Sequence, residues 1–258
     1  MTTDGIKSSL FDLTGKSVLV TGAGRGLGRG MALAAAAAGA QVIAVARTSS
    51  ELDETSALSE GSRVAPLVWD MADLEGIDAL VAKAESLGGP LHGVVHAAGL
   101  QRRKPAIELS LDDWRHVTTV DLEAPFFLST SIHRSQLRHG LAGSHVFVGS
   151  LSSFIGLRGV SAYAASKSGL LGVVRTLALE WAPSGARVNC IAPGYFETSL
   201  TADLFADPGH VAWVRSRIPL GRIGTADDLA GALVFLLSGA SAYVTGQVIT
   251  VDGGWLAG

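Results

Sequence analysis

Residues 17–30 read SVLVTGAGRGLGRG. The first five form a β-branched apolar run of strand length, and a cluster of glycines ends it. Past the glycines the chain becomes Ala-rich and helical in composition, predicting a helix near 26–38. Gly22, Gly26 and Gly28 follow a G-x-x-x-G-x-G spacing, and the strict G-x-G-x-x-G string is absent. Glycines here permit a tight turn and let backbone N–H groups approach a pyrophosphate at a helix N-terminus. An ordinary strand-to-helix turn shares this composition. Its place after the first strand, opening a helix, favours nucleotide binding and makes the turn, with Arg25 and Leu27 inside it, the candidate phosphate cradle.

The same strand-then-helix rhythm runs outward from this stretch. QVIAVA (41–46), RVAPLVW (63–69), LHGVVHA (91–97), SHVFVG (144–149), RVNCIA (187–192) and QVITV (247–251) are further strand candidates. Helical patterns fall near 74–87, 110–137 and 226–238, and around Tyr163. Most of the strands are continuous apolar runs rather than alternating ones, which indicates burial on both faces. The expected fold class is therefore α/β: one Rossmann domain, a doubly wound parallel sheet of about seven strands with helices on both faces. No repeat, linker or shift of composition divides the chain. Residues 13–258 are expected to be this single domain, with 1–12 a flexible tail.

Composition limits the function classes. With 48% hydrophobic residues, 17% charged and a net charge of −3, the 258-residue chain carries no basic footprint for nucleic acid. The most apolar run, 31–46, is broken by Gly39 and Gln41, so no membrane span is expected. The N-terminus lacks the basic start and apolar stretch of a secretory signal. Cys190 is the single cysteine, which excludes an internal disulfide and a Cys-based metal cage, and no metal site is expected. A cytoplasmic location fits these features.

The second strand bears on the nucleotide. An acidic residue at its end would bond an adenosine ribose, whereas Arg there accommodates a 2′-phosphate. Here Ala46 is followed by Arg47, with no carboxylate until Glu51, and Arg25 adds a second cation. NADP is favoured over NAD, which stays open.

Tyr163 and Lys167, in SAYAASKSGL (161–170), lie four apart and share one helical face. On their own they could be two snorkelling side chains of an amphipathic helix. In company with the glycine turn, HAAG (96–99), GS (149–150), RVNCIAPG (187–194) and VDGGW (251–255), the chain resembles the short-chain dehydrogenase/reductase family over essentially its whole length. That family's catalytic serine precedes its tyrosine by 13 positions, and Ser150 precedes Tyr163 by 163 − 150 = 13.

The resemblance implies an NAD(P)-dependent oxidoreductase acting on CH–OH groups. Tyr163 would be the general acid and base, Lys167 the cation that favours its phenolate and bonds the nicotinamide ribose, and Ser150 the holder of the substrate oxygen. Asp70, with Met71 beside it, would receive the adenine amino group. Ala97, Ala98 and Gly99 would approach the adenosine half of the cofactor, and Pro193, Gly194 and Thr198 its nicotinamide end. Residues 195–217, which include ADPG (206–209), would form a lid over the substrate.

Two positions depart from the family pattern. His96 stands where Asn opens the fourth-strand motif, and is read as structural. Asp121 stands where the proton-relay Asn is usual; it can carry a charge and lacks the amide donor. The relay is expected to survive, making Asp121 a fourth catalytic candidate.

Longer strings (27–36, 96–114, 161–173 and 244–258) resemble the sugar-acid branch of the family, the gluconate 5-dehydrogenases and the 2-deoxygluconate or 2-keto-3-deoxygluconate dehydrogenases. The implied substrate is a small hydroxy or keto acid, and Arg102, Arg103 and Arg158 are the candidate contacts for it. Two alternatives remain at this point: a 3-oxoacyl-acyl-carrier-protein reductase, and a regulator that binds the cofactor without turnover. The resemblance also implies a homotetramer, with which the apolar pattern of LLGVVRTLALEWA (170–182) agrees.

Overall fold

Strand β1 (Ser17–Thr21) is buried along its whole length in the computed structural model, which describes residues 8–59, 61, 63–198, 201 and 205–258. With β2 (Gln41–Ala46), β3 (Val64–Val68), β4 (Leu91–His96), β5 (Ser144–Val148), β6 (Arg187–Pro193) and β7 (Val248–Val251) it forms one sheet. The spatial order is β3-β2-β1-β4-β5-β6-β7, and every pairing is parallel. This is the expected seven-stranded, doubly wound Rossmann sheet, and its order reverses between β1 and β4.

The period of two along β1 explains why it reads as a continuous apolar run. Val18 and Val20 join one core with Met31, Leu233 and Leu236, on helices α1 (Gly26–Ala37) and α8 (Ala230–Leu237). Leu19 joins the opposite core with Leu80 and Leu128, on α3 (Ile77–Gly88) and α5 (Ala124–His139). Both faces of the sheet are thus covered, and neither set of side chains reaches water. Edge strand β3 differs: Ala65 and Leu67 are only partly buried, Val68 is exposed, and Pro66 sits where a missing N–H is tolerated.

Three segments differ from the periodicity-based expectation. An additional helix, α2 (Ser49–Ala57), follows β2 and buries only Leu52 and Thr55. The expected long helix at 110–137 is α4 (Leu111–Thr118) and α5, joined by a π-helical turn at Thr119–Glu123 that carries Asp121. The helix expected at 226–238 begins as a 3-10 turn, Ala226–Leu229, before α8. Helix α6 (Ser161–Trp181) buries Leu170, Val174 and Leu177 against Phe147 and Val188 of the sheet.

Of the expected tail, residues 1–7 lie outside the described residues. Ser8–Phe11 form a 3-10 turn beside Gly239–Ser241, and Leu13 is fully buried with its N–H on the Ala38 carbonyl at 2.8 Å. The folded unit therefore starts within the stretch assigned to a tail. Among the described residues, no helix is long and apolar enough to cross a membrane, and no group of three or more His, Cys, Asp or Glu could hold a metal.

Candidate active site

A cleft of about 710 Å³ opens at the carboxyl ends of the strands, where the strand order reverses. Crevices at such a switch point are the usual ligand sites of open parallel sheets. Its floor is the glycine turn. Gly22 has φ +68°, and a Cβ there would fall 2.7 Å from the Ala98 backbone. A Cβ on Gly28 would overlap the Gly22 carbonyl. Bare backbone is thus required at both glycines, because the turn packs against the chain that leaves β4 and against itself. Arg25, the N-cap of α1, makes no side-chain capping bond, so the first amides of that helix are not occupied by it. This is a cradle suited to a pyrophosphate, and the residues present fit a dinucleotide.

Gly22, Arg25, Gly26, Leu27 and Gly28 line the cleft, as do Ala97, Ala98 and Gly99 across from them. One end is closed by Arg47, Thr48, Glu51, Trp69, Asp70 and Met71. Asp70 also closes its own turn: Oδ1 accepts the Ala72 N–H at 3.0 Å. Pro193, Gly194 and Thr198 line the middle of the cleft.

Ser150, Tyr163 and Lys167 share the wall opposite the glycine turn. Lys167 is sealed within α6 and donates to the Val148 carbonyl at 3.0 Å. Its Nζ lies 5.5 Å from the centre of the Tyr163 ring. Ser150 lies two residues past β5 and caps a 3-10 turn (Leu151–Ser153); its Oγ accepts the Ser152 N–H at 3.2 Å, which leaves its proton for another acceptor. Ser153 Oγ donates to the Lys167 carbonyl at 2.8 Å, tying that turn to α6.

Burial pushes the Tyr163 phenol up, and the Asp121 carboxylate adds to the rise; Lys167 and the Ser150 hydroxyl oppose both. For Lys167, burial acts downward, but Asp121 and Tyr163 together hold the ammonium above its ordinary range. Burial raises the Asp121 carboxyl against the pull of Lys167. Asp121 does not line the cleft. It lies behind Lys167, with Oδ2 3.6 Å from Nζ and Oδ1 accepting the Leu100 N–H at 2.8 Å.

Cleft residues that the sequence did not single out form the far wall: Gln101, Leu157, Tyr195, His210 and Trp213, with Trp69 at the adenosine end. Tyr195 and Trp213 pack on Trp255, with ring centres 4.7 and 5.8 Å from it. Arg103 and Arg158 line this end too, and Arg103 donates to the Arg158 carbonyl at 3.5 Å. Arg102 does not line the cleft; it faces Asp113, with Nε 3.8 Å from Oδ1.

His96 is fully enclosed beneath the cleft, stacked on Phe147 at 4.5 Å. A chain of hydrogen bonds fixes its tautomer. Gln136 Nε2 donates to the Leu91 carbonyl, so Gln136 Oε1 must accept from His145 Nε2 at 3.0 Å. His145 Nδ1 then accepts from Ser129 Oγ at 3.2 Å, and Ser129 Oγ accepts from His96 Nε2 at 2.6 Å. Burial, with Lys167 nearby, pulls the His96 ring down to about 3, so it is neutral. Its place is structural, as expected. Asn189 is structural as well: it clips β6 to the 244–247 segment through the Val244 carbonyl and the Gln247 N–H.

Comparison with known proteins agrees with this layout. A family model described as Enoyl-(Acyl carrier protein) reductase matches residues 22–256. The chain is 41% identical over 247 residues to 2-dehydro-3-deoxy-D-gluconate 5-dehydrogenase of Dickeya dadantii, covering 96% of this chain and 98% of that one. It is 36% identical over 247 residues to gluconate 5-dehydrogenase of Gluconobacter oxydans, covering 95% and 96%. The crystal structure of a gluconate 5-dehydrogenase from Burkholderia cenocepacia, in complex with NADP and tartrate, superposes with a TM-score of 0.91 at 32% identity, covering 97% and 98%. Relationships of this extent, joined to the cleft geometry, establish that the chain belongs to the short-chain dehydrogenase/reductase family of NAD(P)-dependent oxidoreductases.

Proposed function

We propose that the protein interconverts a secondary hydroxyl and a ketone on a small sugar acid, with NADP as the favoured cofactor and a gluconate 5-dehydrogenase-like reaction. The observation that carries this reading is one cleft holding Ser150, Tyr163 and Lys167 beside a bare-backbone phosphate cradle, with Arg103 and Arg158 at its far end. When bound, the nicotinamide supplies or receives the hydride. In the reducing direction Ser150 donates its free O–H to the substrate oxygen, and Tyr163 transfers its phenolic proton to that oxygen. In the oxidising direction Tyr163 takes the proton back, aided by the Lys167 ammonium, which stabilises the phenolate. Asp121 acts only through Lys167.

The two guanidinium groups suit a substrate carboxylate, and the Tyr195 and Trp213 rings suit the C–H faces of a polyol chain. Helix α7 (Pro208–Arg217) supplies His210 and Trp213 to this wall, which supports a lid role for the 195–217 segment. Residues 199–200 and 202–204 of that lid lie outside the described residues. Phe127 and Leu179, exposed on the outer faces of α5 and α6, support assembly into a homotetramer through these helices.

A panel of purified substrates tests the reading. Turnover of gluconate or 5-ketogluconate with NADP(H) is expected. Activity on acetoacetyl thioesters with none on sugar acids would replace it with an acyl-carrier-protein reductase. Nucleotide binding with no turnover across a broad carbonyl panel would replace it with a binding protein.

A further inference from the structure

Glu51 lies in the first turn of α2, and its carboxylate turns back across the adenosine end of the cleft. Oε1 lies 3.3 Å from Arg25 Nη1, and a Cβ on Gly24 would fall 2.9 Å from Oε2. Its side chain is 29% exposed, against 62% for Arg25. The backbone beneath is pinned: the Glu51 carbonyl accepts from Arg29 Nη2 at 3.1 Å and from Thr55 Oγ1 at 2.9 Å. The carboxylate is therefore directed at the glycine turn by the fold.

The two cations at this end are consequently unequal. Arg47 directly follows β2 and lines the cleft, whereas Arg25 already has a carboxylate on its guanidinium. A phosphate drawn to Arg25 is also drawn towards Glu51, and the like charges oppose each other. An unphosphorylated ribose meets the reverse: Glu51 is an acceptor for its hydroxyls. Releasing Arg25 from Glu51 costs little, because an exposed ion pair is weak.

We propose that Glu51 sets the balance between phosphorylated and unphosphorylated adenosine cofactors, holding Arg25 when the ribose is bare and yielding it to a 2′-phosphate. This rests on the NAD(P) reading of the cleft. Arg47 is then the standing phosphate contact, and Arg25 the one that changes partner.

Equilibrium titration of the full-length enzyme, without substrate, tests the inference through calorimetry or Trp fluorescence. The probes are adenosine 2′,5′-bisphosphate and AMP. Glu51→Gln is expected to tighten the bisphosphate about 5-fold while leaving AMP unchanged or weaker, since one removed charge at this range is worth roughly that factor. In Arg25→Gln/Glu51→Gln the gain over Arg25→Gln alone should shrink, because no guanidinium is left to release. An unchanged ratio of the two affinities in Glu51→Gln, or a ratio moved towards AMP, overturns the inference with the cofactor reading intact. A wild-type protein that binds neither nucleotide overturns both.

Discussion

The Asp121 carboxylate lies 3.6 Å from the Lys167 ammonium, and both side chains are buried. Lys167 thus divides its charge between the Tyr163 phenol, which it stabilises as phenolate, and a carboxylate behind it. Asp121→Asn keeps an oxygen for the Leu100 N–H and removes the competing charge. The phenol should then titrate lower, because Asp121 is one of the groups that raise it. In the oxidising direction, the rising limb of kcat/KM against pH should move to lower pH. A limb that stays put or moves up would mean that Lys167 had lost its own charge in the variant. A gain of several orders of magnitude in turnover would show instead that the relay needs the amide.

Tyr163→Phe removes the transferable proton and leaves the ring in place. Turnover should fall at least 10²-fold, the usual worth of a positioned acid or base, with nucleotide affinity nearly unchanged. Ser150→Ala should also reduce kcat and move the pH limb upward, since the Ser150 hydroxyl is one of the groups that lower the Tyr163 phenol. Steady-state kinetics combined with cofactor titration separate these outcomes; loss of nucleotide binding in Tyr163→Phe would point to a packing role.

Arg47→Ala tests the phosphate contact. A charge-assisted hydrogen bond contributes about 1.5–3 kcal/mol, so the KM for NADPH should rise about 10-fold or more while that for NADH barely changes. Equal effects on both would remove Arg47 from the phosphate site.

The parts of this molecule that a sequence states openly are those whose side chains are locally constrained. β1 and β2 are apolar through their middles because both faces are covered, and each is visible as a continuous run. The glycine turn and the Ser150–Tyr163–Lys167 spacing are equally local. Helix α2 is hidden because SSELDETSA rests on the sheet through two residues only. The π-turn at Asp121 is hidden because TVDLE continues an unbroken helical pattern on either side. Arg102 and Arg103 are adjacent in a loop, and only Asp113, brought up by α4, draws the first away from the cleft. Trp213 and His210 reach the site from a helix over forty residues beyond Tyr163, so no short motif marks them.

Cys190 offers a check on the packing under the site. It lies on β6 below Gly149, where a Cβ would fall 2.9 Å from its Sγ, and burial pushes the thiol up to about 12. No thiolate forms at neutral pH, and the sulfur is walled off. The folded protein should therefore be inert to iodoacetamide and to aromatic disulfide reagents, with one thiol appearing on denaturation. Prompt modification of the native protein would contradict the enclosed β5–β6 layer.

The neutral, enclosed His96 links stability to pH. Its native ring binds a proton only near pH 3, whereas an unfolded chain binds one below about 6.5. Between those values the unfolded state holds more protons, so stability falls as the pH drops. The loss is up to about 1.4 kcal/mol per pH unit from this group, or about 2 kcal/mol between pH 6.5 and 5. His145 is also held well below its ordinary value by burial and adds in the same direction. His96→Asn cannot titrate and retains an amide for Ser129. Its stability at neutral pH should be lower, since the stack on Phe147 is lost, but its Tm should decline less between pH 7 and 5 than that of the parent. Equal declines in the two proteins would mean that His96 is protonated in the native state, and the tautomer chain through Ser129 to the Leu91 carbonyl would have to be redrawn.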